Sequence, residues 1–319
     1  MNISAPMRTQ SGVLSCIGNT PLVELGERLR PDGGARVFVK LEMTNPTGSM
    51  KDRMALAMIE EAERRGRIQP GFTIVECSSG STGSSLALVC GAKGYTLLVV
   101  TSDAFSEEKL NHMRALGAEL LLIPSHGGGS TKALFTEMIS TAQALGERPK
   151  TYGTDQMNNH DMLVGYKKLG EELWQQTGGR ITAFVHSVGS CGSLRGVATE
   201  LRRRDPEITI VAVEPTESAV LSGGPPGSHA IEGMGAGFIV NHWDDDLATE
   251  IVTVSTTEAF EAARSLVREE GIFAGPSSGA NLVAALRIAR RLPPEAVVVT
   301  LLPDSGFKYL STPLYRRAS

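Results

Sequence analysis

Residues 181–204, ITAFVHSVGSCGSLRGVATELRRR, read as three consecutive pieces: a β-branched strand (Ile181 to Val188), a loop of Gly and Ser, and a helix from Ser193 onward. The helix ends on three arginines, where its dipole favours positive charge. The same unit recurs along the chain. Further strands are expected at RVFVKLE (Arg36 to Glu42), TIVEC (Thr73 to Cys77), TLLVVT (Thr96 to Thr101), ELLLIP (Glu119 to Pro124), ITIVAVE (Ile208 to Glu214), IVTVS (Ile251 to Ser255) and AVVVTLL (Ala296 to Leu302). Between them lie segments of helical period such as KDRMALAMIEEAERRG, TEAFEAARSLVREEG and GANLVAALRIARRL. Strands that alternate with helices predict an α/β fold with parallel sheets.

In open α/β sheets ligands sit at the carboxyl ends of the strands, so strand-to-helix loops are the informative ones. Four are rich in Gly and Ser: CSSGSTGSS after Thr73 to Cys77, SVGSCGS after Ile181 to Val188, EGMGAGF beyond the Ile208 strand, and PDSG after Ala296 to Leu302. SVGSCGS offers backbone N–H groups at a helix start, which suits a phosphate. A plain glycine turn is the alternative. A dinucleotide fingerprint fails here, because it needs Gly where Cys191 stands and the glycines at 189, 192 and 196 are wrongly spaced.

A fifth loop, NPTGSMKDR (Asn45 to Arg53), places Lys51 at a helix start. The positive end of the helix dipole favours a lowered pKa there, and a partly neutral lysine forms a Schiff base or acts as a base. An ordinary solvated lysine is the competing reading. Three look-alikes fall away. GGGSTK (Gly127 to Lys132) has the wrong order for a P-loop. GPSSG (Gly275 to Gly279) matches G-x-S-x-G without a convincing preceding strand or a following Asp and His in hydrolase order. The six histidines have no metal-like spacing, so no metal is expected.

Composition narrows the class. The 319 residues are 41% hydrophobic, enough for a sizeable core and too apolar for disorder, and about two domains are expected from the length. A net charge of -4 gives no basic footprint for nucleic acid. Cys16, Cys77, Cys90 and Cys191 form no C-x-x-C pair, which argues against a disulfide framework or structural zinc and for a reducing, cytoplasmic setting. The N-terminal stretch MNISAPMRTQSGVL lacks the features of a signal peptide, and no apolar run is long enough for a membrane span. Thirty-five glycines against 5% aromatics point to many tight turns and close backbone approaches.

From SCIGNTPLVEL to LLPDSGFKYLST, the chain resembles the cysteine synthase (O-acetylserine sulfhydrylase) and cystathionine β-synthase branch of the fold-type II pyridoxal-phosphate enzymes. The likeness is carried by IGNTPLV, NPTGSMKDR, SSGSTG, DQMNN, VGSCGSLRG, VEPTESAVLSGG, EGMGAGFI, GPSSGAN and PDSG in this order. It implies pyridoxal 5'-phosphate as cofactor and a tryptophan synthase β-subunit-like α/β fold of two domains, each with a largely parallel sheet flanked by helices. Residues 8–47 and 160–319 would form a large cofactor-binding domain, and 48–159 a smaller mobile one.

By the same resemblance Lys51 holds the cofactor as a Schiff base. Gly189, Ser190, Cys191, Gly192 and Ser193 cradle its phosphate, and Ser305 faces the pyridine nitrogen. Ser78, Ser79, Gly80 and Thr82, with Gln156, receive the substrate carboxylate, and Gly233 to Gly237 lies beside them. Gly48, Gly80, Gly83, Gly189, Gly192, Gly233, Gly235, Gly237 and Gly306 are expected to line that cleft, where a backbone must approach a ligand. The activity implied is β-replacement on an activated serine such as O-acetylserine by sulfide or a thiol, through an aminoacrylate, giving cysteine or a related β-substituted alanine. Serine or threonine dehydration, cystathionine synthesis and a non-catalytic sensor are the alternatives. A homodimer is implied, and a serine acetyltransferase is raised as a partner.

Two residues depart from the pattern. Ser81 stands where these enzymes usually have an Asn that contacts cofactor and substrate, and Cys191 stands for a glycine in the phosphate loop. GYKKLGEEL after Asp161 also replaces the usual glycine- and threonine-bearing stretch.

Overall fold

The computed structural model describes residues 12–126 and 131–316. The stretch MNISAPMRTQ, which contains the expected start of the larger domain, and most of GGGSTK lie outside the described residues. The strands are β1 (Leu22–Glu24), β2 (Arg36–Leu41), β3 (Thr73–Cys77), β4 (Thr96–Ser102), β5 (Glu119–Ile123), β6 (Thr151–Gly153), β7 (Ala183–Ser187), β8 (Thr209–Pro215), β9 (Glu250–Val254) and β10 (Val297–Leu302). The helices are α1 (Lys51–Arg64), α2 (Ser81–Lys93), α3 (Glu107–Ala115), α4 (Lys132–Gly146), α5 (Met162–Gln176), α6 (Gly192–Arg204), α7 (Thr256–Ser265) and α8 (Pro276–Ala289). All eight expected strands are present. The two unexpected ones, β1 and β6, are three residues each and too short to show a period.

The strands form two sheets. One has six strands in the order β1-β2-β10-β7-β8-β9, parallel except for the β1–β2 pair, and the other has four parallel strands in the order β5-β4-β3-β6. The chain leaves the first sheet after β2, builds the second, and returns at β7. Strand β10 is buried throughout and its faces alternate: Val297, Val299 and Leu301 enter one apolar core, Val298 and Leu302 another. Such strands read as unbroken apolar runs because helices cover both faces of a parallel sheet. The first core also takes in Met54 and Met58 of α1, Leu86 of α2 and Ile74 of β3, so it runs continuously from one sheet to the other.

Local signals set the helix starts. Ser255 and Glu258 form a reciprocal capping box on α7, and Pro276 opens α8 at a position where no N–H is needed. Among the described residues no helix is long and apolar enough to cross a membrane.

Candidate active site

The carboxyl ends of β3, β7 and β10 converge, and their loops are stitched to the start of α1. The Met50 N–H donates to the Pro303 carbonyl at 2.8 Å, the Ser305 N–H donates to the Gly48 carbonyl at 3.0 Å, and Ser49 pairs with Asp304 in an isolated bridge. Lys51 therefore starts α1 directly beside the loop after β10. Its neighbours in sequence hold it there. The Asp52 carboxylate accepts from the Thr47 N–H at 2.8 Å and the Thr47 hydroxyl at 2.5 Å. Arg53 makes forked bonds to both Glu42 and Glu172, all between 2.7 and 2.9 Å, and so ties α1 to α5.

The Lys51 side chain keeps partial exposure into the cleft while its surroundings strip it of most water. That desolvation lowers its pKa to about 8, with the Asp304 carboxylate opposing the shift. Among the described residues no hydrogen bond or ion pair engages its Nζ. An amine that is half neutral near pH 8 and free of partners is chemically ready to attack a carbonyl.

The loop after β7 carries the clearest signature of a missing partner. Among the described residues, the backbone N–H groups of Gly189, Ser190, Cys191, Gly192 and Ser193 donate to no protein acceptor. Cys191, Gly192 and Ser193 are buried, and buried N–H groups left unpaired are rare. Five such donors at the N-terminus of α6 fit an anion of phosphate size. Cys191 adopts φ 68°, the left-handed conformation that favours the glycine it replaces. Gly189 and Gly192 have a different reason from the one expected. A Cβ on Gly189 would lie 2.6 Å from the Gly233 carbonyl oxygen, and one on Gly192 would collide with the sulfur of Met162. The room is taken by protein, not left for a ligand. The same holds for Gly83 against Met113 and Gly306 against the Phe273 ring, whereas Gly233, at φ 92°, has only the Ser277 hydroxyl within 4 Å of its missing Cβ.

The loop after β3 is built on its own side chains. The Ser78 oxygen accepts from the Gly80 N–H at 3.0 Å and the Gly83 N–H at 2.9 Å, which shapes the turn into α2. Half-buried Ser79, Ser81 and buried Thr82 keep backbone N–H groups with no protein acceptor among the described residues. The Thr82 hydroxyl donates to Gln156 Oε1 at 2.8 Å, and Gln156 Nε2 donates to the Cys77 carbonyl at 2.8 Å. Glu76 accepts from the Gln156 N–H at 3.1 Å, its own pKa pushed up to about 7 by burial. The two loops thus meet at one place. Ser81 donates to Asp304 across the cleft at 3.3 Å, and the Lys109 side chain packs against Gly80 while its Nζ pairs with Glu232, next to Gly233.

Ser305 and Ser277 differ in availability. The Ser305 oxygen caps its own turn, accepting from the Phe307 N–H at 3.3 Å. Ser277, in the first turn of α8, is 3% exposed, sits beside Gly233, and has no hydrogen-bond partner among the described residues. Sequence reading gave this serine no part: GPSSG was weighed as a hydrolase elbow and counted among the motifs of the likeness, without a role for Ser277. The preceding Ala274 forms just an isolated bridge, to Ser305, and no elbow exists.

The donor-rich loop, the free lysine and the buried hydroxyl together fit a phosphorylated carbonyl cofactor. Comparison with known proteins agrees. The family model for "Pyridoxal-phosphate dependent enzyme" matches residues 13–304. A cysteine synthase of Staphylococcus aureus (strain Mu50) is 45% identical over 305 residues, covering 95% of this chain and 96% of the relative. Among solved structures, O-acetyl serine sulfhydrylase isoform 3 from Entamoeba histolytica superposes with a TM-score of 0.91 at 34% identity, covering 100% of this chain and 96% of that one. An O-acetylserine dependent cystathionine beta-synthase from Helicobacter pylori gives a TM-score of 0.90 at 36% identity over 97% of this chain and all of that one. Fold, cleft and likeness converge, and the chain belongs to the pyridoxal-phosphate dependent enzymes, in the branch of the cysteine synthases and cystathionine β-synthases.

Proposed function

We propose that the protein replaces the β-substituent of an activated serine, O-acetylserine in the first instance, with sulfide or a thiol, so that acetate leaves and cysteine or a β-substituted alanine forms. The observation that carries this reading is Lys51: a free, half-neutral amine set between two loops of unpaired N–H groups. In the proposed site Lys51 holds the cofactor through Nζ, and Gly189 to Ser193 bind its phosphate. The cofactor, when bound, supplies an electron sink for charge developing on the substrate Cα. Ser79 to Thr82 and Gln156 orient the substrate carboxylate, with Ser78 shaping their loop. Once the substrate amine takes its place on the cofactor, Lys51 Nζ is released and would take the Cα proton and later return it.

Ser277 is better placed than Ser305 to meet the ring nitrogen, because its hydroxyl is buried and uncommitted. A neutral hydroxyl in that role, unlike a carboxylate, does not hold the ring nitrogen protonated, which favours departure of the β-group over transamination. Ser81 adds a point of divergence. It stands where the likeness puts an Asn and is bonded to Asp304, so the donor is tested as a panel.

Segment 48–159 is proposed to close over the substrate. A homodimer, a cytoplasmic setting and docking of a serine acetyltransferase extend the same reading.

The test adds O-acetylserine, O-phosphoserine or serine to the yellow holoenzyme, records the visible spectrum, then adds sulfide or homocysteine and assays products. A spectral change with O-acetylserine, followed by cysteine formation, is expected. Lys51→Ala should lower turnover at least about 10³-fold. No spectral response to any donor would sink the reading. Pyruvate released at the rate of substrate loss without a thiol would replace it by elimination, and cystathionine as chief product would move it to that synthase. A biological effect that persists unchanged in Lys51→Ala would favour a sensor.

A further inference from the structure

Behind the phosphate loop lies a histidine to which the mechanism gives no task. His186, near the end of β7, is 1% exposed, and its Nε2 lies 2.8 Å from the Ser193 hydroxyl. Its Nδ1 lies 3.1 Å from Nδ2 of Asn281, a fully buried residue of α8. Two backbone groups of opposite polarity fix the Asn281 amide. Oδ1 accepts from the Ser187 N–H at 2.8 Å, and Nδ2 donates to the Leu301 carbonyl at 2.8 Å. Flipping the amide would set oxygen against oxygen and N–H against N–H. The second Nδ2 hydrogen therefore points at His186 Nδ1, which must be the bare nitrogen.

A neutral imidazole with a bare Nδ1 carries its proton on Nε2. Burial, reinforced by the positive charge of Lys51, lowers the pKa of His186 to about 3, so it stays neutral across the working range. Nε2–H then donates to the Ser193 oxygen. Among the described residues Ser193 has no acceptor for its own hydrogen, which is left free to donate.

We infer that Asn281 and His186 form a relay that sets the Ser193 hydroxyl as a hydrogen-bond donor to the cofactor phosphate, making His186 a positioning residue for cofactor binding. The inference rests on the proposed seat at Gly189 to Ser193. It follows from an arrangement of residues spread over β7, α6 and α8.

The test compares binding of pyridoxal 5'-phosphate and pyridoxal by full-length protein stripped of cofactor, followed by absorbance. The ratio of the two affinities isolates the phosphate contact, because general damage weakens both. His186→Ala and Ser193→Ala should each lower the ratio roughly 10- to 100-fold, the value of a hydrogen bond to a charged group. The double variant should be no worse than Ser193→Ala, and His186→Gln, which places an amide N–H where Nε2 was, should recover most of the loss. His186→Leu replaces the alanine variant if that one fails to fold. A ratio unchanged in His186→Ala while Ser193→Ala loses it overturns the relay alone. A ratio unchanged in Ser193→Ala shows that its hydroxyl does not meet the phosphate and overturns the inference, a ratio near one in the parent protein overturns the seat itself, and additive losses in the double variant show that His186 acts by another route.

Discussion

The loops that open α2 and α6 look alike in sequence, each a strand followed by Gly and Ser residues, yet the fold treats them differently. In the α2 loop the protein spends most of its side-chain polar groups on itself and leaves three N–H groups, of Ser79, Ser81 and Thr82, open among the described residues. Ser78 satisfies two of the N–H groups, Thr82 and Gln156 hold each other, and Ser81 reaches across to Asp304. In the α6 loop five N–H groups stay unpaired, and its hydroxyl Ser193 is braced from behind by His186. A loop that is self-supporting keeps its shape while a ligand comes and goes. A loop that leaves five donors open is complete only with a permanent anion, since buried unpaired donors cost free energy. The difference supports the proposed division into a substrate seat and a cofactor seat.

Three substitutions probe that separation, in descending order of effect. Gly192→Ala drives a methyl group into Met162 and should cost roughly 1–3 kcal/mol of stability through overpacking. Cofactor affinity should fall with it, while the substrate KM at saturating cofactor stays near that of the parent. Thr82→Val should do the reverse. Losing one neutral hydrogen bond to Gln156 should raise the substrate KM about three- to tenfold and leave cofactor affinity alone. If Thr82→Val loosens the cofactor instead, the two loops do not divide the work as described. Cys191→Gly should have the smallest effect. Relief of the left-handed conformation stabilises by about 1 kcal/mol, and loss of a buried thiol costs a similar amount, so thermal unfolding should move by only a few degrees.

The sequence was a good guide to elements and a partial guide to the site. Eight strands were legible because buried parallel strands are apolar along their whole length, as in Val297–Leu302. Strands β1 and β6 were not, since three residues form a strand only when a neighbour is already there to pair with. Ser78 was expected at the substrate, and the structure adds that its oxygen builds the loop. Ser277 was given no role although GPSSGAN was among the motifs of the likeness, and only its burial beside Gly233 sets it apart from Ser305. His186 carried no motif at all.

By itself the sequence determined the order of strands and helices, the family and the lysine at the start of α1. These depend on local properties: side-chain pattern, turn residues and the chemistry of one amine. Only the tertiary structure decided which N–H groups were left without partners and which glycines had to be glycine. It also showed that the serine at position 193 is backed by residues from β7 and α8. Those are contacts between segments as much as 95 positions apart, and no local pattern encodes the space a distant side chain will fill.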